Sequence, residues 1–139
     1  MDIANNLLGK WFLIDDDRDN FEDFLKYVGR NLIVRKIAKV CNIYLELKKK
    51  DNGYIKSVGT SFYSTDDYIE IDNVFRTYHN NDLEAKFYIK DNKVYTDNIT
   101  KRYKWTEITH YEKPYLVVVY EWIENDKQKT MKLRFTEHQ

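Results

Sequence analysis

Two short amphipathic helices lie between the first strand-like segment and a long run of others, and this order limits the fold more than any other feature. Gly9-Lys10-Trp11 opens a short apolar run to Ile14. After the polar connection Asp15 to Asp19, the residues Phe21, Phe24, Leu25 and Val28 recur at helical spacing, and Gly29 is a natural stop. Asp19 or Asn20 is expected as the N-cap, with Glu22 and Asp23 in the first turn, where the macrodipole favours negative charge. From Asn31, the set Leu32, Ile33, Val34, Ile37, Ala38 and Val40 predicts a second short helix with a broad apolar side, and Arg35, Lys36 and Lys39 lie on the other. Helices this short cannot serve as the crossovers of a parallel sheet.

Everything after Cys41 reads as strands. Ile43, Leu45 and Leu47 alternate with Tyr44, Glu46 and Lys48, and the turn Asp51-Asn52-Gly53 leads into Tyr54 to Val58, a strong hairpin signal. Further turns are expected at Ser64-Thr65-Asp66-Asp67, His79 to Asp82, Asp91-Asn92, Glu112-Lys113-Pro114 and Glu124 to Asp126. A turn every 8 to 15 residues or so suits an up-and-down antiparallel barrel or a sandwich. Within Leu116 to Ile123 the residues Leu116, Val118, Tyr120 and Trp122 share one face, but the other face is also partly apolar, as in strands lining a partly polar cavity. The 139 residues are read as one domain, 1–139, because halves of that length would bury too little surface.

The charge balance, 23 basic against 23 acidic residues, removes any general attraction to nucleic acid. A single cysteine, Cys41, permits no internal disulfide and points to a reducing compartment. The N-terminus has neither a basic nor a continuous apolar region, and no segment could span a bilayer, so the chain is expected to be soluble. No catalytic or metal-binding constellation stands out. His79, His110 and His138 are scattered, Cys41 has no histidine near it in sequence, and the acidic pairs fall at turns or helix starts. The four glycines form no phosphate-cradling loop. Neither enzyme activity nor a cofactor is expected.

Gly9-Lys10-Trp11, Asn20-Phe21-Glu22, Lys26 and Arg35-Lys36 together resemble the start of the intracellular fatty-acid-binding proteins, cytosolic lipid carriers of the calycin superfamily. The likeness continues weakly through Thr60-Ser61-Phe62 and the last strand, Lys132 to Glu137. The gap between Leu13 and Asn20 is two residues longer than in the family pattern, so the Asp15 to Asp19 connection carries an insertion. Lipocalins share Gly-x-Trp but lack two helices after the first strand. The resemblance implies a mainly β fold, a ten-stranded up-and-down antiparallel barrel with a helix-turn-helix lid between strands one and two. It also implies non-enzymatic binding and intracellular transport of a long-chain fatty acid or related hydrophobic ligand. A retinoid or isoprenoid carrier, or an interaction or signalling barrel with a reduced cavity, is the alternative.

The same resemblance nominates a site. With the chain ends aligned, Arg134 matches one of the family's two carboxylate-binding arginines and Thr136 replaces its tyrosine partner; counting back from Leu116 puts Thr109 where the other arginine would be, and a turn one residue longer or shorter puts His110 or Ile108 there. Pattern alone would instead turn Met131, Leu133 and Phe135 inward and Arg134 outward. The inward arginine is the reading carried forward. Cavity and portal residues are expected to be Phe21, Phe24, Leu25, Val28, Val34, Ala38, Phe62, Val118, Tyr120 and Trp122. Lys26, Arg35 and Lys36 match a basic lid trio that implies contact with an anionic membrane surface or the nuclear import machinery. The expected protein is a monomer in the cytoplasm, with the nucleus left open and secretion too if a signal peptide has been removed.

Overall fold

The computed structural model describes residues 2–30 and 32–137, with the side chains of Asp19, Leu32, Ile33, Val34 and Ile37 outside the described set. Strand β1 (Gly9–Leu13) leads through a 3-10 stretch (Asp15–Asn20) into helices α1 (Phe21–Tyr27) and α2 (Leu32–Val40). Nine strands follow: β2 (Tyr44–Lys50), β3 (Gly53–Gly59), β4 (Ser64–Ile69), β5 (Arg76–Tyr78), β6 (Leu83–Lys90), β7 (Lys93–Ile99), β8 (Lys104–Glu112), β9 (Tyr115–Glu124) and β10 (Lys127–Thr136). All ten form one sheet in the order β4-β3-β2-β1-β10-β9-β8-β7-β6-β5, every neighbouring pair antiparallel. The sheet curls into a nearly closed barrel whose free edges are β4 and β5, and the imidazole of His79 meets the Asp67 carboxylate at 3.1 Å across that seam.

The end of α1 follows from its sequence. Gly29 takes φ +79, Gly29 N–H donates to Lys26 O at 3.0 Å, and Arg30 N–H donates to Leu25 O at 2.8 Å. This is the paired bonding of a Schellman stop, which needs a residue tolerant of the left-handed region. The start of α1 departs from expectation. Asn20 is helical and makes no capping bond, because the 3-10 stretch runs directly into the helix, and its side chain donates instead to Lys132 O at 3.2 Å. The predicted start of α2 at Asn31 lies outside the described residues.

One turn was misplaced in sequence. Ser64 to Asp67 belongs to β4, while the reversal occurs at 60–63, closed by Thr60 N–H to Tyr63 O at 2.7 Å. An edge strand half exposed to water carries polar residues that read like a turn. A further turn at 100–103 carries no glycine or proline and gave no signal, and it closes through Thr100 N–H to Tyr103 O at 2.8 Å.

The N-terminal segment seals the barrel end opposite the helices. Ile3 and Leu7 are buried, Ile3 N–H donates to the Tyr54 hydroxyl at 2.8 Å, and the Trp11 indole donates to Leu7 O at 3.2 Å. The core is continuous from there through Leu45, Leu116, Leu133 and Phe135 to Phe24 of α1.

Candidate ligand site in the barrel interior

Cross-strand register identifies the inward face. Leu133, fully buried, stands opposite Val118, which stands opposite Thr109, which stands opposite Val94. One step along, Met131, Tyr120, Glu107, Thr96 and Phe87 form a parallel row. Residues directly opposite share a face, so each row points to the same side. Two contacts show that this side is the lumen. Lys56 Nζ of β3 lies 3.5 Å from Glu107 Oε1 of β8, and Trp11 of β1 meets Tyr111 of β8 with ring centroids 6.2 Å apart. Strands so far apart in the sheet order can touch only across the interior.

Helix α1 seats one aromatic side chain over this interior. Phe24 is buried among Trp105, Tyr120 and Trp122, with centroid distances of 5.5, 4.9 and 5.4 Å. Phe21 approaches Tyr120, and Tyr27 stacks on Trp122 at 5.7 Å while its hydroxyl donates to Lys104 O at 3.0 Å. Val28 and Ala38 pack partly buried against the same core, and Leu25 is half-buried. The side chain of Val34 lies outside the described residues. Phe62 lies on the β3–β4 turn at 85% exposure. Lys26 and Lys36 are exposed, with Lys26 3.9 Å from Glu22, and Arg35 is half-buried with its Nε unpaired.

The arginine expected at the head group is not in the lumen. Arg134 forms a bidentate pair with Asp17, Nε to Oδ2 at 3.0 Å and Nη2 to Oδ1 at 2.9 Å, and its guanidinium lies over the Tyr115 ring. Hydrogen bonding to Asp17 raises its pKa above the usual arginine value. Met131, Leu133 and Phe135 are the buried, inward residues of β10. Thr136, opposite Phe12, shares the outward face with Arg134, whereas Thr109 is inward and buried. The sheet separates the three predicted head-group residues, so they cannot form one site. The physical reason lies in the 3-10 stretch. β1 ends at Leu13, leaving the edge N–H of Arg134 without a strand partner, and Asp17 Oδ2 accepts it at 2.8 Å.

The polar centre of the lumen is a different group. Glu107 Oε1 accepts from Lys56, and Oε2 accepts from Asn98 Nδ2 and Trp105 Nε1, both at 3.0 Å. Lys56 also lies over the Phe87 ring at 5.7 Å. Tyr120, across the β8–β9 pair from Glu107, is a partly buried phenol whose pKa is pushed well up by desolvation and then by the Glu107 charge. The sequence held a partial signal. Tyr54 and Lys56 alternate with Ile55 and Ser57, but in β8 the apolar Ile108 suggests the opposite parity from the true inward Glu107 and Thr109.

A concavity of about 730 Å³ lies on the other side of this wall. Asn98, Trp105 and Trp122 line it, and each stands between two outward-facing neighbours that also line it, such as Asp97 and Ile99. It is a depression in the outer surface near the lid end and is distinct from the lumen. Among the described residues no group of side chains could hold a metal ion, and no helix is long and apolar enough to cross a membrane.

Comparison with known proteins agrees with this architecture. No family model matches the chain. It is 33% identical over 64 residues, 46% of the chain, to sodium/calcium exchanger regulatory protein 1 of Doryteuthis pealeii, and 36% identical over 62 residues, 45% of the chain, to fatty acid-binding protein homolog 5 of Caenorhabditis elegans. These matches span 47% and 44% of the relatives, so the chain spans about half the length of the curated relatives it matches. Among solved structures, apo lipid binding protein 8 of Caenorhabditis elegans superposes with a TM-score of 0.81 over 99% of this chain and 100% of that one, at 17% identity. The chain resembles the fatty-acid-binding proteins in fold over its whole length and in sequence over less than half of it.

Proposed function

We propose that this barrel is a non-enzymatic carrier that encloses a long-chain fatty acid or a related hydrophobic ligand. One observation carries the reading: a helix seats Phe24 on Trp105, Tyr120 and Trp122 at one end of a lumen whose only described cross-lumen ion pair is Lys56–Glu107. A largely apolar interior with a buried polar pair suits an amphiphile, and each buried CH₂ of an acyl chain contributes roughly 0.8 kcal/mol. Apolar contacts then come from Phe24, Val118, Tyr120 and Trp122, and entry requires displacing α1, which is too short to hold itself together without that seat. The fold it shares with lipid-binding proteins supports this reading.

The exposed Lys26 and Lys36, with Arg35 beside them, give the lid a basic surface for delivery to anionic membranes, and the single Cys41 suits a cytoplasmic carrier. Delipidated protein titrated with long-chain lipids and read by native mass spectrometry tests the carrier. Stoichiometric uptake is expected, and a folded protein that takes up neither acids nor neutral lipids overturns the reading. In the same preparation, neutralising Lys26, Arg35 and Lys36 is expected to slow transfer to anionic vesicles with little change in equilibrium uptake. An unchanged rate removes the delivery role.

A further inference from the structure

We propose that the lumen selects amphiphiles with an uncharged, hydrogen-bonding head, such as a fatty alcohol, amide or monoacylglycerol, over ionised fatty acids, and that Glu107 is the selecting residue. The inference rests on the carrier reading above and narrows its ligand.

Lys56 and Glu107 face each other across the lumen with side chains 20% and 13% exposed. The register of β3 with β4 places Asp67 directly opposite Lys56, adding a second carboxylate on the inward face, turned toward His79. Arg76, another cation of inward register, is held by Asp72 and Glu70. Lys56 is therefore the cation nearest the polar centre, and Glu107 already claims it.

An entering fatty carboxylate would have to take Lys56 from Glu107. Glu107 would be left with the neutral donors Asn98 and Trp105, and a second negative charge would stand a few ångströms away in an enclosed volume. Like charges confined in this way strongly disfavour joint ionisation. A hydroxyl or amide head leaves the charge balance untouched. It can donate to Glu107 and accept from Lys56, inserting into a contact that at 3.5 Å is long for a direct N–H···O bond. Thr96, inward and buried opposite Glu107, offers a further neutral partner. Tyr120 stays protonated at neutral pH and adds no charge of its own.

The test compares oleyl alcohol, oleamide and oleic acid on the delipidated protein by calorimetric titration at neutral pH. The alcohol and amide are expected to bind at least about tenfold more tightly than the acid, the size of effect one buried like-charge contact can produce. Glu107→Gln should raise the ratio of acid to alcohol affinity by at least about tenfold, because it removes one negative charge while keeping a hydrogen-bonding group in place. Wild-type protein that prefers the acid overturns the inference and leaves the carrier reading standing, as does a folded Glu107→Gln variant with an unchanged ratio. Failure of all three lipids to bind folded protein overturns the carrier reading, and this inference falls with it. The wild-type comparison decides the matter even if the variant does not fold.

Discussion

Two ion pairs between distant segments, Asp17–Arg134 and Lys56–Glu107, lie on opposite sides of the same sheet, and their geometry gives them opposite roles. Asp17 and Arg134 share three hydrogen bonds of 2.8 to 3.0 Å, counting the Arg134 backbone N–H. Lys56 and Glu107 share one contact, at 3.5 Å. The outer pair saturates a carboxylate with a fork of donors and completes a strand edge, so it acts as a staple between the 3-10 stretch and β10. The lumen pair leaves donor and acceptor capacity unused in the place a ligand head would reach. Tight pairing suits structure, and loose pairing in an enclosed space suits recognition.

Removing one partner inside the barrel is the most direct way to break this contrast. Lys56→Met is expected to cost about 2 kcal/mol of stability, because Glu107 would remain charged with only neutral donors. Lys56→Met combined with Glu107→Leu should return to within about 1 kcal/mol of the wild type while losing preference among lipid head groups, since replacing a buried pair by apolar residues is often neutral. Urea titration of both variants checks this, and a double variant as unstable as the single would show that the lumen pair, too, is structural.

Asp17→Ala should have a smaller effect on global stability, because the Arg134 side chain is 36% exposed and can turn to water. The Arg134 amide should exchange faster with solvent than its β10 neighbours once its acceptor is gone. Unchanged exchange there would mean that the staple does not hold the edge.

The smallest effect is expected from an exposed pair used as a control. Hydrogen bonding from Arg76 holds the Asp72 carboxyl below its ordinary value of 3.8. A lowered folded pKa means that the contribution is present above 3.8 and is lost as the pH falls through the folded value. Asp72→Asn should therefore change stability little at neutral pH and flatten the loss of stability only on the acid side. A large change at neutral pH would erase the distinction between exposed and enclosed pairs.

These pairs also mark where sequence reading reached its limit. Helical spacing at Phe21, Phe24, Leu25 and Val28, the stop at Gly29 and the Asp51-Asn52-Gly53 hairpin are local signals, set by side-chain period and backbone sterics within a few residues. They were enough for two short helices ahead of a run of antiparallel strands, while the count of ten strands and the lid followed from the family resemblance, and in β10 the bare alternation of Met131, Leu133 and Phe135 indicated the correct inward face. The inward Arg134 came from aligning chain ends with a family pattern, and that alignment could not register that Asp17 would fold back onto the same edge.

Sequence by itself determined the element order and the apolar faces of the helices and of β10, because each depends on short-range periodicity. Which polar residues meet inside was decided by tertiary structure alone. Lys56 and Glu107 lie 51 residues apart on strands that never pair. Only the closing curvature of the sheet brings them together, and a one-residue change of parity in either strand would have sent its charge to solvent.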